Sequence, residues 1–326
     1  MLALSLAASS LHADMVDEIL DQQILPDMQT LAESSAHLAK AADQMCRPGA
    51  SPLRKAYAQA FDAWIRVSHL RFGPSEVENR AFALAFWPDS RGKIPKTLAA
   101  HLRKADPALL SDANFAQSSI AGRGFYALEF FYFSPEDIGA EPSEFTCGLT
   151  RAIARDIASN SEAIYQDWLS GYARQMREAQ GRYANESEVK QELYKALNTG
   201  LQVLSDMRLG RPLGTFDHPR PKRAEAWRSG RSQRHILLSL EALKPLAISL
   251  ATGNPGLAQK LATEFDAVLT RARALEDPQL AGVADPQKRI RIEALQQEVN
   301  DLRSLIEGEL GPALGVLAGF NALDGD

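Results

Sequence analysis

The chain is predicted to be all-α, and two observations carry that expectation. Apolar residues recur at three- and four-residue spacings over almost the whole length. No run alternates β-branched or aromatic residues with polar ones, as a half-buried strand would. Glycine and proline are grouped into short interruptions that leave about four principal helices in each half, which predicts two four-helix-type bundles packed side by side.

Taken in order, residues 15–45 read as a first long helix, ended by Arg47-Pro48-Gly49. Residues 52–72 read as a second, ended by Gly73-Pro74 and pairing antiparallel with the first. Between 76 and 112 the pattern is broken by Trp87-Pro88-Asp89, Gly92, Pro95 and Pro107. Short helices and irregular chain are expected there, in a kind of segment that often carries function. Helix is expected again over 114–133, closed by Pro135. Ser143 then caps a very long helix with Phe145, Leu149, Ile153, Ile157, Ile164 and Trp168 near one stripe.

Gly181 and Asn185 mark the expected boundary between an N-terminal unit, 14–182, and a C-terminal unit, 183–326; Asn185 with Glu188 forms a capping box. The following helix carries Val189, Leu193, Leu197, Leu201 and Leu204. A glycine- and proline-rich basic segment, 210–222, precedes helices at 224–252, 256–275 and 286–319. The last has Ile292, Leu295, Val299, Leu302, Ile306 and Leu310 in coiled-coil-like spacing and a kink expected at Pro312.

At 326 residues the chain is long enough for two domains. With 45% hydrophobic and 24% charged residues and a net charge of -5, it gives no reason to expect nucleic acid as a partner. Residues 1–13 are apolar and small and end before Asp14, Asp17 and Glu18, like the apolar region and cleavage end of a secretory signal, although a basic start is missing. That segment is too short to cross a bilayer, and no lipobox cysteine precedes Asp14, so a soluble periplasmic protein without a transmembrane segment is the expectation. The two cysteines, Cys46 and Cys147, do not form a CxxC pair. In the periplasm a disulfide between them is the natural reading, stabilising by roughly 4 to 5 kcal/mol in the chain-entropy model. The alternative is two buried thiols.

The most informative stretch is Arg123-Gly124-Phe125-Tyr126-Ala127-Leu128-Glu129-Phe130-Phe131-Tyr132-Phe133. On a helix Tyr126 and Glu129 share a face, and Gly124 permits close approach of another backbone or a ligand. A lone glutamate among aromatics is either hydrogen-bonded in a polar pocket or beside a cation, and a structural carboxylate holding an arginine or a helix end satisfies that as well as a binding site does. A second feature is the basic segment Arg208, Arg211, Arg220, Lys222, Arg223, Arg228, Arg231 and Arg234, set against only Asp217 and Glu225. Guanidinium groups in such a cluster can grip carboxylate or phosphate bidentately, including an anionic metal chelate. A solvated face paired with acidic residues of the other bundle is the alternative. Glu225, Arg228 and Ser232 fall at helical spacings and are expected on one helix face.

The run GFYALEFFYF is similar to the Gly-x-His-x-x-Glu signature of imelysin-like (iron-regulated protein A-like) proteins, in which it takes a form such as GFHAIEYLLF. The resemblance extends through Ala63-Trp64, His69, Arg71, Phe72, Gly73 and Pro74, through Phe86-Trp87-Pro88-Asp89, through Glu225-Ala226-Trp227-Arg228-Ser229-Gly230-Arg231-Ser232, and to the ending Gly319-Phe320-Asn321-Ala322-Leu323-Asp324-Gly325-Asp326. It implies two helical bundles, a periplasmic or lipid-anchored location, a role in iron or other metal uptake with other components of an uptake system, and a site near the signature. Carried over, Gly124 and Glu129 match, with Glu129 the candidate ligand for iron or another divalent or trivalent metal ion. Tyr126 stands where the histidine should be, and a phenol is a poor ligand unless a strong Lewis acid lowers its pKa. The resemblance also implies that Glu225, Arg228, Ser229 and Ser232 face Glu129 across the junction, with His69 and Arg71 lining the same cleft.

A metallopeptidase is disfavoured. Zinc hydrolysis needs about three protein ligands and a base, the chain has no HExxH, and its six histidines, His12, His37, His69, His101, His218 and His235, are not paired in sequence. The first expectation is therefore a periplasmic binding or accessory protein for a metal ion or anionic chelate. The competing one is a structural or interaction module that binds an anionic ligand.

Overall fold

The computed structural model describes residues 15–45 and 51–316. The expected signal segment 1–13, Cys46 and hence its pairing with Cys147, and the ending 319–326 lie outside the described residues. Helix α1 runs over residues 15–44, with a wider π turn at Leu20–Ile24, and buries Leu20, Ile24, Met28, Leu31 and Leu38. Helix α2 is Ser51–Val67, whose apolar face of Leu53, Tyr57, Phe61 and Trp64 is buried. Side chains of this size stabilise by about 1.5–3 kcal/mol each on burial.

Helix α2 stops at Val67, short of the expected 72. The Ser68 hydroxyl donates to the Ile65 carbonyl and tight turns follow, with Gly73 at φ +56°. The irregular region holds three short helices, α3 (Arg80–Leu84), α4 (Lys93–Lys104) and α5 (Asp112–Ala116). The expected helix over 114–133 is corrected to two pieces, because α6 begins only at Gly124 and spans Gly124–Phe133. Arg123 between them is extended; its guanidinium donates to both oxygens of buried Asp156, at 2.9 and 2.7 Å, and to the Ala116 carbonyl. That tertiary ion pair outweighs the local helical pattern.

Helix α7 starts at Glu144 and continues through a π turn, Trp168–Tyr172, to Arg177, with Ser143 accepting from the Thr146 N–H as its cap. Helix α8 runs from Glu186 through the π turn Val203–Leu209 to Leu213. Asn185 accepts from the Glu188 N–H, while the Glu188 carboxylate reaches back to the Ala184 N–H. Helices α9 (Ser232–Leu250), α10 (Pro255–Arg273) and α11 (from Pro286 through a π turn, Ile306–Leu310, to Leu314) complete the chain. A π turn lies ahead of Pro312, where a kink was expected, and α11 runs on to Leu314.

In the first bundle α1 packs between α2 and α7, with α6 against α7 and α2; in the second, α8 to α11 close on one another. The bundles meet where α2 lies against α9. At Gly200 of α8 an added Cβ would stand 2.7 Å from Leu243 and 3.1 Å from the Cβ of His69, so a glycine is what permits the close approach there. Among the described residues the only extended pairing is an isolated bridge, Thr215 with His218, and no helix is long and apolar enough to cross a membrane.

Candidate functional site

Helix α6 is apolar on nearly every side, and all its residues from Gly124 to Tyr132 are buried, as such a helix must be. Of its polar side chains, Tyr126 and Glu129 lie three apart and both bond to the segment joining α8 to α9, while the buried hydroxyl of Tyr132 has no partner. The Tyr126 hydroxyl donates to Glu225 Oε1 at 2.5 Å. Glu129 Oε1 accepts from the Ser229 N–H at 3.0 Å and from its hydroxyl at 2.8 Å.

Glu225 is the centre of the junction. Its Oε2 accepts from Arg208 Nε at 2.6 Å and lies 3.0 Å from His235 Nδ1, while Arg208 Nη1 donates to Ser239 Oγ at 3.0 Å. Arg208 comes from the π turn of α8 and His235 from the first turn of α9, so three elements of the second bundle converge on a tyrosine of the first. Burial pushes the Glu225 carboxyl up, but Arg208 and His235 outweigh it and hold the group well below the usual range. Glu129 has no such partner: burial dominates and raises its pKa despite the Ser229 bonds and the Arg228 charge. Burial, with Glu225, also raises Tyr126.

A directly bound metal does not fit at Glu225. The Glu225 oxygens are taken by a phenol, a guanidinium and an imidazole, so Arg208 already occupies the place of a counter-cation. Among the described residues no three His, Cys, Asp or Glu side chains gather closely enough to hold an ion.

Beside Tyr126 and Glu129 opens a cleft of about 180 Å³, walled by Trp87, Asp89 and Phe130 on one side and by Arg211, Lys222, Arg223, Trp227 and Arg228 on the other. Arg228 lies 4.0 Å over the Phe130 ring and 4.6 Å over Trp227 and pairs with Asp137 at 3.3 Å. A second, much smaller cavity of about 30 Å³ is lined by His69, Arg71, Arg208, Ser239 and Gly200. The chain Tyr126–Glu225–Arg208 runs between the two.

Tyr126, Glu129, Glu225 and Ser229 thus come together, with Arg228 in the cleft. His69 and Arg71 line the second cavity instead, where Arg71 is tied to Glu76 at 2.6 Å and stacks on Phe82. Ser232 is buried with its hydroxyl unpartnered. The expected common helix face of Glu225, Arg228 and Ser232 is corrected, because α9 begins only at Ser232 and residues 224–231 form turns, with Ala226 at φ +50° and Gly230 at φ +67°. That turn is what inserts Glu225 inward while presenting Ser229 to Glu129. Gly124 admits backbone, not ligand: an added Cβ would stand 2.3 and 2.2 Å from the carbonyl oxygens of Ala83 and Leu84. Sequence reasoning treated His235 as an ordinary histidine and missed Phe61, whose ring meets Phe125, Tyr126 and His235. Their helical spacing marks them only as core.

Burial pushes both His235 and His69 down to about 4, and the arginines nearby act in the same direction. The unfolded chain, with imidazoles near 6.5, therefore binds protons that the folded chain refuses. This stability is complete above pH about 6.5 and is lost as pH falls towards 4, by about 3 kcal/mol for His235. The urea midpoint is expected to fall across that window, with a clearly shallower fall in His235→Asn; an identical slope in the variant would remove His235 from the account.

The imelysin family model (peptidase M75) matches residues 24–306. Among solved structures the chain is similar to an imelysin-like protein from Psychrobacter arcticum 273-4, at 19% identity, covering 96% of this chain and 98% of that one with a TM-score of 0.76. It is also similar to a candidate iron-regulated protein A precursor from Parabacteroides distasonis ATCC 8503, at 17% identity, covering 94% and 95% with a TM-score of 0.76. At such identities the likeness is one of fold. No curated protein matches in sequence. The family match runs from α1 into the π turn of α11 and takes in both bundles and every residue of the junction, so the chain belongs to the imelysin family.

Proposed function

We propose that the protein is an exported, periplasmic binding or accessory component of iron or other metal uptake, whose cargo enters the cleft between the bundles. The observation that carries this reading is the cleft itself, whose two walls come from α6 with the preceding irregular segment and from the segment joining α8 to α9. A division into units 14–182 and 183–326 would make it an interdomain cleft, the commonest setting for a ligand site. The link with iron rests on the name of the Parabacteroides protein, and export on residues 1–13 together with the word precursor in that name. Peptidase chemistry is a poorer reading, since the polar groups of the signature helix are engaged with Glu225 and Ser229 in place of a zinc-bound water.

Purified from the periplasm of iron-supplied cells, the protein is expected to carry iron in stoichiometric amount by elemental analysis. Arg228→Ala should stay folded and weaken retention about ten-fold or more, the loss of one charge-assisted contact, and Glu129→Gln should weaken it by loosening Ser229 and the cleft wall that Ser229 anchors. A wild-type protein recovered outside the periplasm, or without iron or any other metal, overturns the proposal. Retention unchanged in both variants would assign the signature helix to buttressing the junction.

A further inference from the structure

The charges of the cleft do not balance. Four cations line it, Arg211, Lys222, Arg223 and Arg228, against two carboxylates, Asp89 and Glu129. Both carboxylates are already engaged: Asp89 accepts the Lys93 and Ile94 N–H groups at 2.8 Å each, opening α4, and Glu129 accepts from Ser229. Of the cations only Arg228 has an ion-pair partner among the described residues. Arg211 is the most exposed to this imbalance in energy. Its Nε is buried without a hydrogen-bond partner, and burial together with the neighbouring charge of Arg223 disfavours its charged form. Holding like charges together beside a partly desolvated guanidinium costs free energy that no carboxylate of the cleft offsets.

The same walls carry flat apolar surface. The Arg211 guanidinium lies 5.9 Å from the Trp87 ring and Lys222 Nζ 5.6 Å from Trp227, so each indole of the cleft has a cation beside it. At about 180 Å³ the space has room for a ring-sized group and not for a larger body.

We infer that the cleft recognises a small polyanion, bearing two or more carboxylates or phosphates on a body with apolar faces, through Arg211, Arg223 and Lys222, with Trp87 and Trp227 as its walls. This rests on the cleft being the binding site and deepens it: the cargo arrives as an anion, and a bare metal cation is repelled. Arg211 and Arg223 supply planar donor forks for the acidic groups, while Lys222 adds a point charge at the exposed rim.

The probes are benzene-1,3,5-tricarboxylate, benzoate and zinc chloride, titrated into the whole protein by calorimetry and by tryptophan fluorescence at low and physiological salt. The tricarboxylate is expected to bind at least ten-fold tighter than benzoate, to change the emission, and to weaken as salt rises. Arg223→Gln, at an exposed position where folding is not at stake, and Arg211→Gln are each expected to weaken it about ten-fold. Equal affinity for benzoate, or affinity unchanged in both variants, overturns the inference. Zinc binding lost in Glu129→Gln, without tricarboxylate binding, overturns it too while leaving the metal-uptake proposal standing. Tricarboxylate binding sensitive to both arginines, in a protein that retains no iron in the cell, supports the inference and sinks only the metal link.

Discussion

Glu225→Gln is expected to destabilise the protein by about 3–5 kcal/mol, because the charge it removes is the partner of a guanidinium that has nowhere else to go. Glu225 is 3% exposed and Arg208 6%, and Arg208 makes its remaining bond to the neutral Ser239 hydroxyl. A glutamine amide that keeps its oxygen for Tyr126 turns its N–H₂ towards Arg208, a group with donors only, so the variant combines an unpaired buried charge with an unsatisfied donor. Against a typical total stability of about 5–15 kcal/mol this is a large share, visible as a drop in the urea midpoint at unchanged slope. The double variant Glu225→Leu with Arg208→Met removes both charges and is expected to recover part of the loss, the remainder reflecting Tyr126 and His235 left without Glu225. A cost below about 1 kcal/mol for Glu225→Gln would mean that Arg208 finds water when its partner is neutralised.

The network that makes Glu225 costly to change was only partly legible in the sequence, and the reason is the range of the interactions. Ser143 and Asn185 announce their helices because the bonds they make, to Thr146 and Glu188, are three residues away. The all-α class and the order of the long helices follow likewise from apolar spacing. The start of α9 does not: residues 224–231 continue a helical pattern, yet Ala226 takes a left-handed conformation because Glu225 must reach Tyr126 and Arg208 while Ser229 reaches Glu129. Arg123 breaks the helix ahead of α6 for the same kind of reason, a buried partner 33 residues away. The basic segment was visible as composition, but Arg208 turns inward to Glu225 while Arg211 and Arg223 line the cleft. No spacing rule separates those fates, since the π turn of α8 shifts the register between them. His69 and Arg71 went to the second cavity for a similar reason: sequence distance does not say on which side of the Tyr126–Glu225–Arg208 chain a residue falls.

Gly124→Ala is expected to cost more than about 4 kcal/mol, and to leave little folded protein at 37 °C, because two separate penalties fall on one methyl group. The first is conformational: Gly124 opens α6 at φ +75°, where an L-residue pays about 1–2 kcal/mol. The second is steric: the new Cβ would stand 2.2 Å from the Leu84 carbonyl oxygen and 2.3 Å from that of Ala83. Backbone at the end of α3 cannot rotate aside as a side chain would, so α6 must move, and with it Tyr126 and Glu129, whose bonds to Glu225 and Ser229 join the two bundles. Gly92→Ala separates the two penalties. Gly92 also has a positive φ, +61°, but nothing lies within 4 Å of its added Cβ, so only the conformational cost of about 1–2 kcal/mol is expected there. Urea unfolding of the two variants side by side checks the argument: equal losses would mean that α6 can shift away from Ala83 and Leu84 without cost, and the close backbone contact would then not be what requires a glycine at the head of the signature helix.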